Sequence, residues 1–356
     1  MSFDRLGDRC ALYTGDCLEI MKKFPDNYVD SVITDPPYNL SFMGKKWDTV
    51  NNFQQWCQQW ATESLRILKP GGHLAAFGGT RTYHRMVCGI EDAGFEIRDS
   101  LHWIQGSGFP KGKSQLKPSH EPIVLARKPF TGTLINNVLV NGTGSLNIDS
   151  CRTPAAQDYL DKCSSVVGLS SKRNGDTYGD WAGVRENSAH DAGRWPTNIL
   201  LSHHPDCTES CQDGCAVMEM DRQSGYSTST SSHRGERHGN IYGNGRGPEG
   251  PNTVRGHSDS GGSSRFFPVF RYQAKASSKE RPKLSDGTAH PTVKPLALMQ
   301  WLVKLVTPEN GIILDPFAGS GSTLQAAVNE NFRVIGIERE EQYVELCKIR
   351  MSTEKS

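Results

Sequence analysis

Apolar positions follow two textures along the chain. In the first third and the last quarter, short apolar runs alternate with stretches of helical spacing. Between them the pattern dissolves. CALYTGD (10–16) reads as a strand entering a turn and CLEIMKKF (17–24) as a helix. VDSVITDPPY (29–38) reads as a buried strand, a short apolar run followed by two prolines. FQQWCQQWATESLRIL (53–68) places Phe53, Trp56, Trp60 and Leu65 at helical spacing, and Lys-Pro-Gly-Gly stops it. HLAAFGG, FEIRDSLHWIQG and EPIVLARKP read as strands, with TRTYHRMVCGIEDAG a helix among them. After residue 281, KPLALMQWLVKLVT, LQAAVNENF and EEQYVELCKIRM read as helices, and GIILD and RVIGIERE as strands. Such alternation predicts a parallel α/β sheet.

The middle, Phe130 to Arg281, carries neither period clearly. Within it, Asp221–Ser264 is rich in Gly, Ser, Arg and His. That composition suits a solvated loop, and equally a basic arm that orders on nucleic acid. The expected organisation is therefore 1–129 and 282–356 completing one sheet, with 130–281 as an inserted module.

Composition narrows this picture only at the margins. The chain has 356 residues, enough for one large domain with an insertion or for two domains. Lysine and arginine total 40 against 39 aspartates and glutamates, so no global charge advertises a polyanion partner, and any basic face must be local. No run approaches a membrane span, and the first residues lack the apolar core of a signal peptide. Ten cysteines, mostly scattered singly, fit a reducing cytoplasm better than a disulfide scaffold.

Chemistry concentrates at two corners. Asp35-Pro36-Pro37-Tyr38 closes the apolar run. Proline fixes φ and carries no amide hydrogen, so this is a rigid end to a strand. Asp315-Pro-Phe317-Ala-Gly319-Ser-Gly321 closes another strand and opens a helix. It lacks the Gly-Lys-Ser/Thr of a Walker loop and the third glycine of a dinucleotide fingerprint. Glu338, at the end of the next strand, stands where a carboxylate accepts hydrogen bonds from ribose hydroxyls. An ordinary strand-to-helix turn with a surface glutamate is the plain alternative. In an open parallel sheet, ligands bind at the carboxyl ends of the strands. If the two strands are neighbours, the corners face one pocket. The Asp35 carboxylate and Pro36 carbonyl then offer two acceptors to an exocyclic amine, and Tyr38 offers a flat face to its ring.

With DPPY at 35–38, FAGSG at 317–321, TGDC at 14–17 and HPTVKP at 290–295, the chain resembles the amino-methylating DNA methyltransferases of the β group. In that group the catalytic corner precedes the inserted target-recognition domain and the cofactor corner follows. FMGKKWD, GSGFPKG, KPSHEPIVLARKP, GRWPTNILL and SRFF resemble versions carried by phages and prophages. The resemblance implies a Rossmann-like class I methyltransferase sheet, S-adenosylmethionine as cofactor, double-stranded DNA as partner, and a bacterial cytoplasmic setting. It implies methyl transfer to a flipped-out base, with Asp35, Pro36, Pro37 and Tyr38 at the amine and no covalent intermediate. Asp35 favours adenine N6, and cytosine N4 is the alternative. A nucleic-acid binder that has lost catalysis is the alternative of another class. For the cofactor, the resemblance implies Asp16 at the adenine amino group and Phe317, Gly319 and Gly321 along the methionine and ribose side. Asp315 would receive the cofactor's amino group, and Glu338 would bind the ribose. His290, Thr292 and Lys294 would close over the methionine end, with Lys294 at its carboxylate. Oligomeric state is left open between monomer and dimer.

One cluster stands apart. HHPDCTESCQDGC (203–215) spaces three cysteines four apart below two histidines. His204, Cys207, Cys211 and Cys215 form a ligand set for a structural zinc. The alternative is three cysteines buried on one helical face.

Overall fold

The computed structural model describes residues 2–40, 48–106, 113–114, 116–153, 170–173, 181–184, 193–204, 206–228, 232–233, 254–255, 260–270 and 281–352. Most of the Gly/Ser/Arg/His-rich run, and the FMGKKWD and GSGFPKG stretches apart from their end residues, lie outside them.

Ten strands form the main sheet: β1 (Ser2–Leu6), β2 (Cys10–Thr14), β3 (Val29–Thr34), β4 (Leu68–Phe77), β5 (Glu96–Ile104), β6 (His120–Arg127), β7 (Ile199–Ser202), β8 (Val269–Phe270), β9 (Ile312–Asp315) and β10 (Arg333–Glu338). Their spatial order is β1-β2-β10-β9-β3-β4-β6-β5-β7-β8. The two strands from the C-terminal part thus sit between β2 and β3, and the outer pair β7 and β8 comes from the middle of the chain. The five-strand centre, from β2 to β4, is parallel throughout. Such strands are covered on both faces, so they read as apolar runs without alternation. All six residues of β3 are buried, as are all four of β9.

The expectation of a parallel sheet needs one correction. β6 runs antiparallel to both β4 and β5. A parallel return needs a crossover long enough to hold a helix. The 15 residues between Ile104 and His120 carry no described helix, and the chain simply doubles back. β1 is likewise antiparallel to β2.

Helices cover both faces. On one side α1 (Cys17–Met21), α2 (Phe53–Ile67) and α3 (Tyr83–Asp92) pack Ile20, Trp60 and Ile90 on the sheet. On the other, α6 (Leu296–Val306), α7 (Ser322–Asn329) and α8 (Glu341–Ser352) pack Leu302, Leu324 and Val344. Two more helices, α4 (Leu134–Asn141) and α5 (Ala216–Ser224), belong to the middle of the chain. Polar ties lock β3 to β9 within this apolar setting. Asp30 accepts the Ile312 amide at 2.7 Å and pairs with Lys69. Among the described residues, no helix is long and apolar enough to cross a membrane.

Candidate active site

β3 and β9 are direct parallel neighbours, with Ile313 opposite Ser31 and Leu314 opposite Val32. Their carboxyl ends therefore lie side by side, and the Asp-Pro-Pro-Tyr and Asp-Pro-Phe corners open into one cavity of ≈ 400 Å³. Residues Asp16, Asp35, Lys294, Asp315, Phe317 and Glu338 all line it. The Thr34 hydroxyl donates to Asp315 Oδ1 at 2.7 Å and ties the two strand ends together.

The glycine corner is built by close approach. Gly319 has φ +55°, and a Cβ there would come within 3.1 Å of the His290 ring. Gly321 has φ +80°, with Cys347 Sγ at 3.2 Å from the same notional atom. Only glycine fits such positions without strain. Glu338 binds this turn directly: its carboxylate accepts the Gly319 amide and the Glu340 amide, each at 2.8 Å. Burial pushes its pKa up to about 7 despite those bonds. Burial raises Asp315 to about 6 against its hydrogen bonds from Thr323, Thr34 and the Phe317 amide. Both carboxylates are already hydrogen-bonded, and a carboxylate with its roughly four lone-pair sites can still accept a further donor. Phe317 is packed against Trp56 and Trp60, with ring centroids 5.5 and 5.8 Å away.

Asp16 caps α1 by accepting the Leu18 amide at 2.9 Å, and it faces the cavity as well. His290 packs edge-on against Tyr343 at 4.4 Å, and its Nδ1 lies 2.9 Å from the Thr292 carbonyl oxygen. Burial brings its pKa down to about 4, so the ring is neutral near pH 7. This cavity suits a ligand with a nucleoside and several polar hydrogens. Three carboxylates offer acceptors, Phe317 an aromatic wall, and the glycine turn a backbone packed tightly against His290 and Cys347.

The Asp-Pro-Pro-Tyr corner carries a polar network. The Tyr38 hydroxyl donates to Asp35 Oδ1 at 2.6 Å and lies 3.2 Å from Glu121 Oε2. Thr82, just before α3, donates to the Tyr38 carbonyl at 2.6 Å and pins the corner from outside. Lys294 lines the cavity, and its ammonium bonds Asp35 Oδ2 at 2.5 Å and pairs with Glu121 at 3.3 Å. Burial works against its charge, yet Asp35 and Glu121 outweigh that and hold its pKa above the usual lysine value. Its position follows from the chain path: residue 294 immediately precedes α6, which packs beneath β3 and β4.

Glu121 and Trp56 also line the cavity, and sequence reasoning misses both. Glu121 reads as an exposed charge ahead of Pro122, and only the pairing of β5 with β6 aims it inward, where Gln105 also donates to it at 3.0 Å. Trp56 reads as one apolar position of α2. Its only sequence signal is an aromatic surplus on that helix.

The cysteine cluster lies elsewhere, beyond β7, and the structure changes its membership. Atoms of His203, Cys207, Cys211 and Cys215 all fall within 4.8 Å of one another. His204, the expected ligand, instead takes the Asp206 amide on Nδ1 at 3.3 Å. Nor do the cysteines share a helical face: Cys215 is the N-cap of α5, and the other two precede it.

Comparison with known proteins agrees with this geometry. A family model described as DNA methylase, of the N6/N4 type, matches residues 29–349. The type II methyltransferase M.HindIII of Haemophilus influenzae is 23% identical over 97% of this chain and 96% of its own length. M.ScaI of Streptomyces caespitosus is 24% identical over 96% of this chain and 81% of its own. Among solved structures, the PvuII DNA methyltransferase, described as cytosine-N4-specific, covers 96% of this chain and 86% of its own at a TM-score of 0.51. With 16% identity, that likeness is one of fold. By its sequence match and by the two strand-end corners that share one cavity, the chain belongs to the N6/N4 family of S-adenosylmethionine-dependent DNA methylases.

Proposed function

We propose that this DNA methylase transfers the methyl group of S-adenosylmethionine to N6 of adenine in duplex DNA. The observation that carries the reading is the shared cavity, with a rigid Asp-Pro-Pro-Tyr corner on one side and a carboxylate-lined glycine corner on the other. Asp16 would hold the cofactor's adenine amino group and Glu338 its ribose, Phe317 and the Gly319–Gly321 turn would line its methionine and ribose side, and Asp315 would receive its amino group. When bound, the cofactor supplies an electrophilic methyl on a sulfonium sulfur. The protein's task is then placement and charge stabilisation.

Asp35 does this for the amine. An aromatic amino nitrogen is a weak nucleophile because its lone pair is delocalised into the ring. Hydrogen bonds from that amine to Asp35 and to the Pro36 carbonyl favour a pyramidal nitrogen and stabilise the positive charge that develops. Lys294 fixes the Asp35 carboxylate and offsets the charge of Glu121 beside it. A paired base cannot reach such a recess, so it leaves the stack, at a cost of a few kcal/mol, and rests on Tyr38. Asp35 at the head of the motif supports adenine as the base. We assign target reading to residues 130–281.

The test is incubation of genomic DNA from a methylation-free host with methyl-tritiated cofactor, followed by hydrolysis and chromatography. Label in N6-methyladenine is the expected result. Label in N4-methylcytosine would overturn the choice of base, and an unlabelled digest would overturn the activity.

A further inference from the structure

Four potential metal ligands gather beyond β7, away from the methyl-transfer cavity. His203 follows β7 directly and Cys215 caps α5, so the cluster joins a sheet strand to a helix. Nδ1 of His203 lies 3.4 Å from Cys211 Sγ and 3.5 Å from Cys215 Sγ. A tetrahedral zinc with bonds of about 2.3 Å to sulfur and about 2.0 Å to nitrogen separates its ligand atoms by roughly 3.5–3.8 Å. No two ligand atoms in the cluster are more than 4.8 Å apart, within about an ångström of that geometry and a small side-chain adjustment away. Backbone amides also point at the sulfurs. The His204 amide points at Cys215 Sγ at 3.5 Å and the Gln212 amide at Cys207 Sγ at 3.3 Å. Backbone donors to sulfur are the outer hydrogen bonds that a metal thiolate uses.

We propose that His203, Cys207, Cys211 and Cys215 bind one structural zinc ion that fastens the far end of the sheet. Three thiolates and an imidazole are soft, nitrogen-tolerant ligands that suit zinc, and four protein ligands leave no open position for catalysis. This region needs a staple. Among the described residues its apolar cluster has only Leu201, Cys215 and Val217 buried. β7 contributes four residues to the sheet and β8 two. The helix that the metal anchors passes the constraint on: Asp221 of α5 accepts the Ser264 amide and the Ser264 hydroxyl, both at 2.7 Å, and Ser264 leads into β8. Cysteines 207, 211 and 215 are free thiols, so no disulfide substitutes for the metal.

The experiment is metal analysis of the full chain, purified under reductant without added metal and passed through gel filtration. About one zinc per chain is expected. Cys211→Ser and His203→Ala should each lose most of it, whereas His204→Ala and the exposed Cys88→Ser should keep it. S-adenosylmethionine binding, at a cavity none of these residues lines, shows which variants have folded. Should the ligand variants fail to fold, cobalt(II) exchanged into the wild-type chain decides, because a tetrahedral thiolate site gives intense visible bands and sulfur charge transfer. Zinc far below one equivalent in the wild type, a disulfide within the cluster, or zinc that survives Cys211→Ser would each overturn the proposal. Zinc lost in His204→Ala but kept in His203→Ala would overturn the ligand assignment. None of these readouts depends on methyl transfer.

Discussion

Glu338 makes the cofactor site sensitive to pH in a calculable way. The residue is 9% exposed, and burial lifts its carboxyl pKa from 4.5 to about 7 in the ligand-free protein. That difference corresponds to about 3 kcal/mol between its protonation states. Because the folded value lies above the unfolded one, the stability linked to this group is complete below about pH 4.5. It is lost as pH rises toward about 7. Binding has the opposite dependence. If Glu338 accepts hydrogen bonds from the cofactor's ribose hydroxyls, the ionised form is the competent one. At about pH 6 roughly one-tenth of the protein carries it, and at about pH 8 roughly nine-tenths. The dissociation constant for S-adenosylmethionine should therefore tighten about tenfold over that interval. Calorimetric titration of the wild type and of Glu338→Gln measures this, because the cofactor's own titration and that of Asp315 are common to both. The variant should bind more weakly at about pH 8 and lose the Glu338-linked part of the slope. Equal slopes in the two proteins would refute the ribose role and the burial argument together.

Lys294→Met leaves Asp35 and Glu121 facing each other without their cation. Removing one partner of a buried pair costs roughly 3–5 kcal/mol, and the lower end applies because the Asp35 and Glu121 side chains retain 21% and 26% exposure. Urea unfolding should show that loss, and methyl transfer should fall with it. Gly319→Ala forces a side chain into φ +55° against His290, costing about 1–2 kcal/mol. Isothermal titration should find its cofactor affinity reduced several-fold. Trp56→Ala removes one of the two aromatic contacts of Phe317, worth about 0.5–1.5 kcal/mol. Cofactor KM should rise about three- to tenfold while kcat at saturation changes little.

Some of this architecture is legible in the residues alone. The strand signals at 29–34 and 312–315 are both wholly buried strands, and the breakers after them mark their ends. That they are neighbours is not local information. It depends on β9 and β10 returning, from nearly 300 residues away, to a place between β2 and β3. The antiparallel turn of β6 was hidden because strand signals carry no direction. β1 was missed because Ser2–Leu6 holds only Phe3 and Leu6 as apolar residues. Within the site, the motif carboxylates stood out by their fixed offsets from prolines and glycines. Glu121 did not, since its burial arises from pairing across a hairpin. His203 and His204 are adjacent, and extended backbone sends adjacent side chains opposite ways. Spacing could not choose between them, but the direction of the chain leaving β7 does.

The most direct test of the central claim is nucleoside mass spectrometry of unmethylated duplex DNA treated with wild type and with Asp35→Ala, each at saturating S-adenosylmethionine. The account predicts N6-methyladenine from the wild type and none from the variant, although both bind cofactor with similar affinity. A variant that still methylates would show that the Asp-Pro-Pro-Tyr corner does not hold the reacting amine.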